Sequence, residues 1–190
     1  PELKILLNKA NITLPDGVGL VAAARLLDLP IKRRIAGVDF MEKLLSVVAN
    51  RPVKSGFFGG QKGVAVEAAN CLQKSYQNLQ ISYASHAYNG DELKKAGIDI
   101  LFVGLGFPKQ EEWILEHRDE IDAKVIMAVG GAFDFLSRNV VRAPKVVQDV
   151  GAEWLFRLIR QPWRARRQAQ LLNFSALILG RALSDRLKRH

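Results

Sequence analysis

Short apolar runs closed by glycine and followed by helical spacing recur along the chain. Residues 53–58 alternate and cluster as a strand does, Gly59 and Gly60 follow, and apolar positions over 64–76 return at helical spacing. Residues 98–103 repeat the strand, Gly104-Leu105-Gly106 closes it, and Pro108 opens the next helix. Residues 124–129 form a third strand, ended by Gly130-Gly131, and residues 80–83 a short fourth. Strand, glycine turn and helix in repetition predict an α/β fold: a doubly wound parallel sheet with helices on both faces. Upstream, Pro15-Asp16-Gly17 is a turn between a short apolar segment and a helical pattern over 20–27, so Asp16 is expected where a strand stops and a helix starts. Past Ala143-Pro144 the pattern changes. Helices are expected over 146–158 and 164–187, broken at Gln161-Pro162, with no further strand. The reading is a body over 1–143 and a basic helical appendage over 144–190. The first residues already follow a helical pattern and are not preceded by Met, so an upstream segment is expected to be missing.

Composition adds two constraints. Of 190 residues 48% are hydrophobic, enough for a sizeable core. The single cysteine, Cys71, excludes an internal disulfide and is expected to be buried on the apolar side of its helix. Charge changes the picture more. The chain carries +9, and residues 151–190 hold nine basic residues against two acids, Glu153 and Asp185. A near-neutral body with a basic tail calls for an anionic partner: nucleic acid, an acidic membrane surface or a phosphorylated substrate.

Chemistry is then sought where the elements meet. Glycine after a strand lets a ligand approach the backbone, and the following helix offers N–H groups to phosphate. Gly59, Gly60, Gly104 and Gly106 are candidates for a diphosphate, although tight turns and close packing explain glycine there equally well. No Walker loop or full dinucleotide fingerprint is present. Asp16 is a candidate base or a plain turn and cap residue. Lys32-Arg33-Arg34 reads as a solvated face, and Gln110 as a hydrogen bonder to a sugar or base, or as an idle surface residue. His86, His117 and His190 are scattered, so no metal site and no cofactor is expected. Asp134, between aromatics, reads as structural. In the tail Leu171, Leu172, Phe174, Leu177, Ile178, Leu179 and Leu183 form an apolar surface, with arginines at its ends and Trp154, Phe156 and Trp163 upstream. That combination suits a helix lying on an anionic bilayer.

These motifs, taken in order, resemble the WecG/TagA/CpsF family of bacterial glycosyltransferases. The likeness runs through Pro15-Asp-Gly-Val-Gly19, Arg34-Ile-Ala-Gly-Val-Asp39, Phe57-Phe-Gly-Gly60, Phe102-Val-Gly-Leu-Gly-Phe-Pro-Lys-Gln-Glu111, Val129-Gly-Gly-Ala-Phe-Asp-Phe135, Arg142-Ala-Pro144 and Gly151-Ala-Glu-Trp-Leu-Phe-Arg157. The resemblance implies an inverting, metal-independent hexosyltransferase, of the kind grouped as family 26 glycosyltransferases. It would move N-acetylmannosamine from a UDP-sugar donor, UDP-ManNAc, to undecaprenyl-diphosphate-linked GlcNAc, the linkage-unit step of wall teichoic acid synthesis. It implies work at the cytoplasmic face of the cell membrane as a peripheral protein, with an assembly of identical copies admitted. It implies Asp16 as the base, Arg34 and Gln110 as substrate contacts, and Arg157, Arg164 and Arg167 as arginines brought to the active site by the appendage. Family members carry a longer N-terminal segment with a Thr-x-Asn strand that is not found here, and the stretch 85–91 reads as short by comparison.

Related donors are alternatives within the same chemistry: ManNAc uronic acid, or sugars for capsule or exopolysaccharide. Of other classes, an α/β module binding nucleic acid through the basic tail is the main rival. A nucleotide-dependent oxidoreductase is disfavoured by the missing dinucleotide fingerprint.

Overall fold

The computed structural model describes residues 2–162 and 165–187. They group into two compact units, one of the described residues up to 13 with 37–141, the other of residues 14–36 with the described residues from 142 onward. The second unit holds the described residues from 142 onward. It also takes in the segment 14–36, which sequence order had placed with the body.

The first unit is the α/β sheet. Its strands are β1 (Lys54–Gly59), β2 (Gln80–Ser85), β3 (Ile100–Gly104) and β4 (Val125–Ala128), ordered β2-β1-β3-β4 with every pairing parallel. The chain leaves β1 toward β2 on one side and later returns to β3 on the other. The strand order thus reverses between β1 and β3, the place where open α/β sheets characteristically bind ligands. β3 is buried throughout, as a central parallel strand covered on both faces must be.

Alternation along the strands divides the core. On one face Phe57, Phe102 and Phe133 pack with helices α3 (Gly37–Val48), α4 (Val64–Ser75) and α7 (Ala132–Leu136). The Phe57 ring stacks on Phe133 at 5.4 Å and meets Phe102 edge-on at 5.6 Å. On the other face Phe58, Leu101 and Val103 lie under α5 (Gly90–Ala96) and α6 (Lys109–His117). Phe58 lies 4.5 Å from Trp113, which stacks on His117 at 4.6 Å. Helix α1 (Glu2–Asn8) packs on α6. Three helices escaped the sequence reading. α3 buries Met41, Leu45 and Val48, a helical stripe; α5 is capped by Asn89, whose side chain accepts from the Glu92 N–H, and is closed by Gly97; α7 is a single short turn. Cys71 is only half-buried, because Ala68, Ala69 and Leu72 form the packed side of α4.

The second unit holds α2 (Val18–Leu26), α8 (Lys145–Asp149), α9 (Glu153–Arg160) and α10 (Ala165–Leu187), with α2 packed on α10. Two expectations are corrected here. The apolar segment before Asp16 is irregular and not a strand: Ile12 is exposed, and Asp16 donates its N–H back to Leu14 in a tight turn instead of to a neighbouring strand. The helix expected over 146–158 is two helices. Gly151 sits at φ 75°, a left-handed conformation that ends α8, and a Cβ there would come within 2.7 Å of Val18. Among the described residues no helix is long and apolar enough to cross a membrane.

Candidate active site

In the second unit the chain is folded so that Asp16 and Arg34 become neighbours. Pro15-Asp16-Gly17 ends in Gly17 at φ 115°, and α2 starts immediately after it. Beyond α2, Arg25 donates to the Lys32 carbonyl and closes the return loop. The Ile35 N–H then bonds to the Pro15 carbonyl at 3.1 Å, pinning the returning strand of chain beside the turn. Arg34 Nε donates to Asp16 Oδ1 at 3.3 Å. So the last residue of the basic triplet is not part of a solvated face: Lys32 and Arg33 are exposed, while Arg34 is half-buried and paired.

Glu153 completes the group. It stands in the first turn of α9, where a negative charge is favoured. Its Oε2 accepts from Arg34 Nη2 at 3.1 Å, and its Oε1 lies 3.7 Å from Arg142 Nε. The order along the group is Asp16, Arg34, Glu153, Arg142, with signs alternating and charges balanced. Burial peaks at Glu153: the side chains are 49% exposed at Asp16, 25% at Arg34, 9% at Glu153 and 23% at Arg142. Burial works against charge on Arg34, but the hydrogen bond to Glu153, the charge of Asp16 and the hydrogen bond to Asp16 outweigh it, and its pKa stands above the ordinary arginine value. The group therefore holds a permanent cation beside a half-exposed carboxylate.

Glu153 and Arg142 were not singled out from sequence. A signal existed: Glu153 is one of only two acids in the basic tail. An acid kept in such a stretch is a candidate partner for its cations.

The first unit supplies the glycine turns and Gln110. Gly59 is at φ 108°, and a Cβ there would stand 2.9 Å from the Gly104 carbonyl carbon. A Cβ on Gly104 would strike the Phe133 ring at 2.7 Å. Packing alone thus requires glycine at both. Gly60 donates its N–H to the Gly104 carbonyl at 2.9 Å, tying the turns after β1 and β3 together. Gly106, at φ 78°, is different: nothing lies within 4 Å of where its Cβ would be, so its backbone is open to approach. Gln110 is buried, accepts the Gly130 N–H on Oε1 at 2.8 Å, and donates from Nε2 to Glu111 at 2.9 Å. It braces the turn after β4 against α6. Gly59, Gly60, Gly104, Gly106 and Gln110 are therefore brought together by one sheet, and Asp16 with Arg34 by the other unit.

Of the tail arginines, Arg157 is half-buried on α9. Arg164 lies outside the described residues, as does Trp163; Arg167 lies in α10, but its side chain is outside the description. On α9 Trp154, Leu155 and Ile159 are exposed, and Arg160 lies over the Phe156 ring at 5.4 Å. On α10 Leu171, Leu177 and Leu179 are exposed. Among the described residues no group of three or more His, Cys, Asp or Glu could hold a metal ion.

Comparison with known proteins gives consistent findings. A sequence profile described as "Glycosyl transferase WecG/TagA/CpsF family" matches residues 1–188. A protein of Bacillus subtilis (strain 168) is 33% identical over 180 residues, covering 92% of this chain and 70% of the relative. One of Bacillus spizizenii is 31% identical over 185 residues, covering 94% and 72%. One of Staphylococcus aureus (strain MRSA252) is 33% identical over 161 residues, covering 81% and 63%. All three are named N-acetylglucosaminyldiphosphoundecaprenol N-acetyl-beta-D-mannosaminyltransferase.

Proposed function

The chain belongs to the WecG/TagA/CpsF family of glycosyltransferases, and from that premise we propose that it transfers N-acetylmannosamine from UDP-N-acetylmannosamine to GlcNAc-diphosphoundecaprenol, with inversion and without a metal. The observation that carries the reading to residues is the half-exposed Asp16 carboxylate held on a tight turn beside Arg34. In the proposed step the acceptor hydroxyl oxygen forms a bond to C1 of the donor sugar. Its proton passes to Asp16, and the bond from C1 to the diphosphate breaks with its electron pair going to UDP. The leaving diphosphate gains charge, which fixed cations stabilise without reorganisation. Arg34 and Arg157 are the proposed cations among the described side chains, with Arg164 and Arg167 as further members of that set. Gly106 is the proposed place where a phosphate can lie against backbone; the Gly60 N–H is already bonded to the Gly104 carbonyl. Gly59 and Gly104 permit the turns, and Gln110 holds their surroundings rigid.

The lipid-linked acceptor accords with the exposed apolar side chains of α9 and α10 among arginines, which suit a peripheral seat on an anionic membrane at the cytoplasmic face. The test is a donor screen with a soluble GlcNAc-diphospholipid analogue, in EDTA and with added Mg²⁺. Transfer from UDP-N-acetylmannosamine in EDTA is expected. Preference for a UDP-linked uronic acid or another hexose would reassign the donor within the family. Activity that needs Mg²⁺ would refute the metal-free step. Binding to RNA in place of vesicles across a salt series would favour the nucleic-acid module.

A further inference from the structure

Glu153 lies outside the roles above, yet it is the most buried charged group bound to them. Its carboxylate faces two arginines, Arg34 at 3.1 Å and Arg142 at 3.7 Å. It takes the shorter of the two contacts made by Arg34; the contact to Asp16 is longer, at 3.3 Å, and goes through Nε alone. An arginine with one carboxylate in reach tends to grip it with two parallel N–H groups. Such a clamp would make Asp16 a weaker proton acceptor. Here Nη2 is already committed to Glu153. Moreover, Glu153 belongs to a helix and is buried, whereas Asp16 sits on a half-exposed turn, so the guanidinium is anchored on the Glu153 side. Arg142 balances the second carboxylate oxygen and keeps the buried acid neutralised.

We infer that Glu153 is a positioning residue for the transfer step: it holds Arg34 by Nη2, so that Arg34 lies beside Asp16 as a fixed cation without clamping it. This rests on Asp16 as the base. It assigns no contact with substrate to Glu153. Its role is to set how strongly Arg34 grips Asp16, and hence how readily Asp16 accepts the acceptor proton.

The test is steady-state kinetics of the whole protein with UDP-N-acetylmannosamine and a soluble GlcNAc-diphospholipid analogue, alongside thermal melting. Glu153→Gln is expected to lower kcat roughly 10- to 100-fold while both KM values stay within about threefold, since the loss falls on a proton transfer and not on binding. Glu153→Asp, which keeps the charge, is expected to recover most of that kcat. Should Glu153→Gln fail to fold because two cations lose their anion, the charge-balanced pair Glu153→Gln with Arg142→Gln is measured instead, and the same fall in kcat is expected. Wild-type kcat in whichever folded variant is tested would overturn the inference. So would a loss confined to KM, or a double variant that does not fold, because each makes Glu153 a purely structural residue. Asp16→Asn separates the two layers. If it is inactive while Glu153→Gln is fully active, the base stands and the positioning role falls. If it keeps near-normal turnover, the base assignment itself fails.

Discussion

The two units are stabilised in different ways. The sheet unit rests on apolar burial and close backbone approach: a fully buried β3, stacked phenylalanines, and glycines where a methyl group would collide with a ring or a carbonyl. The other unit brings together positions far apart in sequence, Asp16 and Arg34 with Arg142 and Glu153, in a chain of alternating charges that is half-exposed at Asp16 and buried at Glu153. Tight apolar packing tolerates few changes of volume. A charge group tolerates changes of shape but not of sign, because removing one member leaves its neighbour buried and uncompensated. Overpacking in the sheet unit should therefore cost fold first, and Asp16, the exposed end of the charge group, is where function can be lost with the fold intact.

The largest expected effect follows from that separation. Asp16→Asn keeps the turn and nearly the same volume but removes the carboxylate proposed as the base. Transfer should fall about 10²- to 10⁴-fold, the usual worth of general base catalysis. The melting temperature and UDP affinity should stay close to wild type, measured by thermal scans and titration. A variant that unfolds, or one that turns over normally, would erase the contrast between the units.

Gly104→Ala sharpens the opposite side. Its Cβ would stand 2.7 Å from two carbons of the buried Phe133 ring and 3.1 Å from the Gly130 carbonyl oxygen. Overpacking of this kind should cost about 1–3 kcal/mol of stability in urea melts. Gly106→Ala meets no neighbour and is opposed only by its positive φ. It should cost less stability and yet weaken UDP binding, if a phosphate rests there.

What was legible in the sequence follows the same division. The four strands and their glycine turns were readable because each is a local pattern: apolar run, glycine, helix. The strands appeared within a few residues of their expected bounds. Helix α3 is equally amphipathic, but it begins at Gly37 without a side-chain cap in its sequence to announce it, and it was passed over. The second unit was legible only in fragments. Asp16 and Arg34 were found through motifs, but their pairing was not, since it depends on a backbone bond from Ile35 to Pro15 across the returning loop. Glu153 was counted as a charge and not weighed as a partner because its two arginines lie 119 and 11 positions away in sequence. The break at Gly151 was missed because the apolar spacing on either side continues through it. Only the close approach of Val18 shows why the chain must turn there.

An intermediate effect is expected at the exposed apolar positions of α9. Ile159→Asp removes a large apolar side chain that is exposed and lies outside the charge group. Burial of such a side chain is worth about 1.5–3 kcal/mol. Affinity for vesicles containing anionic lipid should then fall about tenfold or more in sedimentation assays, while kcat on a soluble acceptor holds. Unchanged vesicle binding would remove α9 from the membrane surface. A parallel loss of kcat would show that this part of the second unit serves the chemistry as well.

The smallest expected effect is at the end of the strands opposite the glycine turns, where the sheet unit does use charge. Asp99 receives the Lys124 ammonium at 2.7 Å and the Lys54 N–H at 2.9 Å, just before β3 begins. The hydrogen bond from Lys124, followed by that from the Lys54 backbone, holds the Asp99 pKa below its ordinary value; the same pairing raises that of Lys124. A depressed carboxylate pKa stabilises the fold above the unfolded value of about 3.9 and loses that contribution as pH falls through the folded value. A raised lysine pKa stabilises below about 10.4 and is lost as pH rises through the folded value. Asp99→Asn should therefore melt slightly below wild type across the neutral range. The two curves should converge in acid below the ordinary aspartate range and again in strong base. Lys124 is largely exposed, so the neutral gap should also narrow as salt is added. A gap that persists in acid would mean that Asp99 acts through the shape of its turn, with the backbone bond from Lys54 mattering more than the charge.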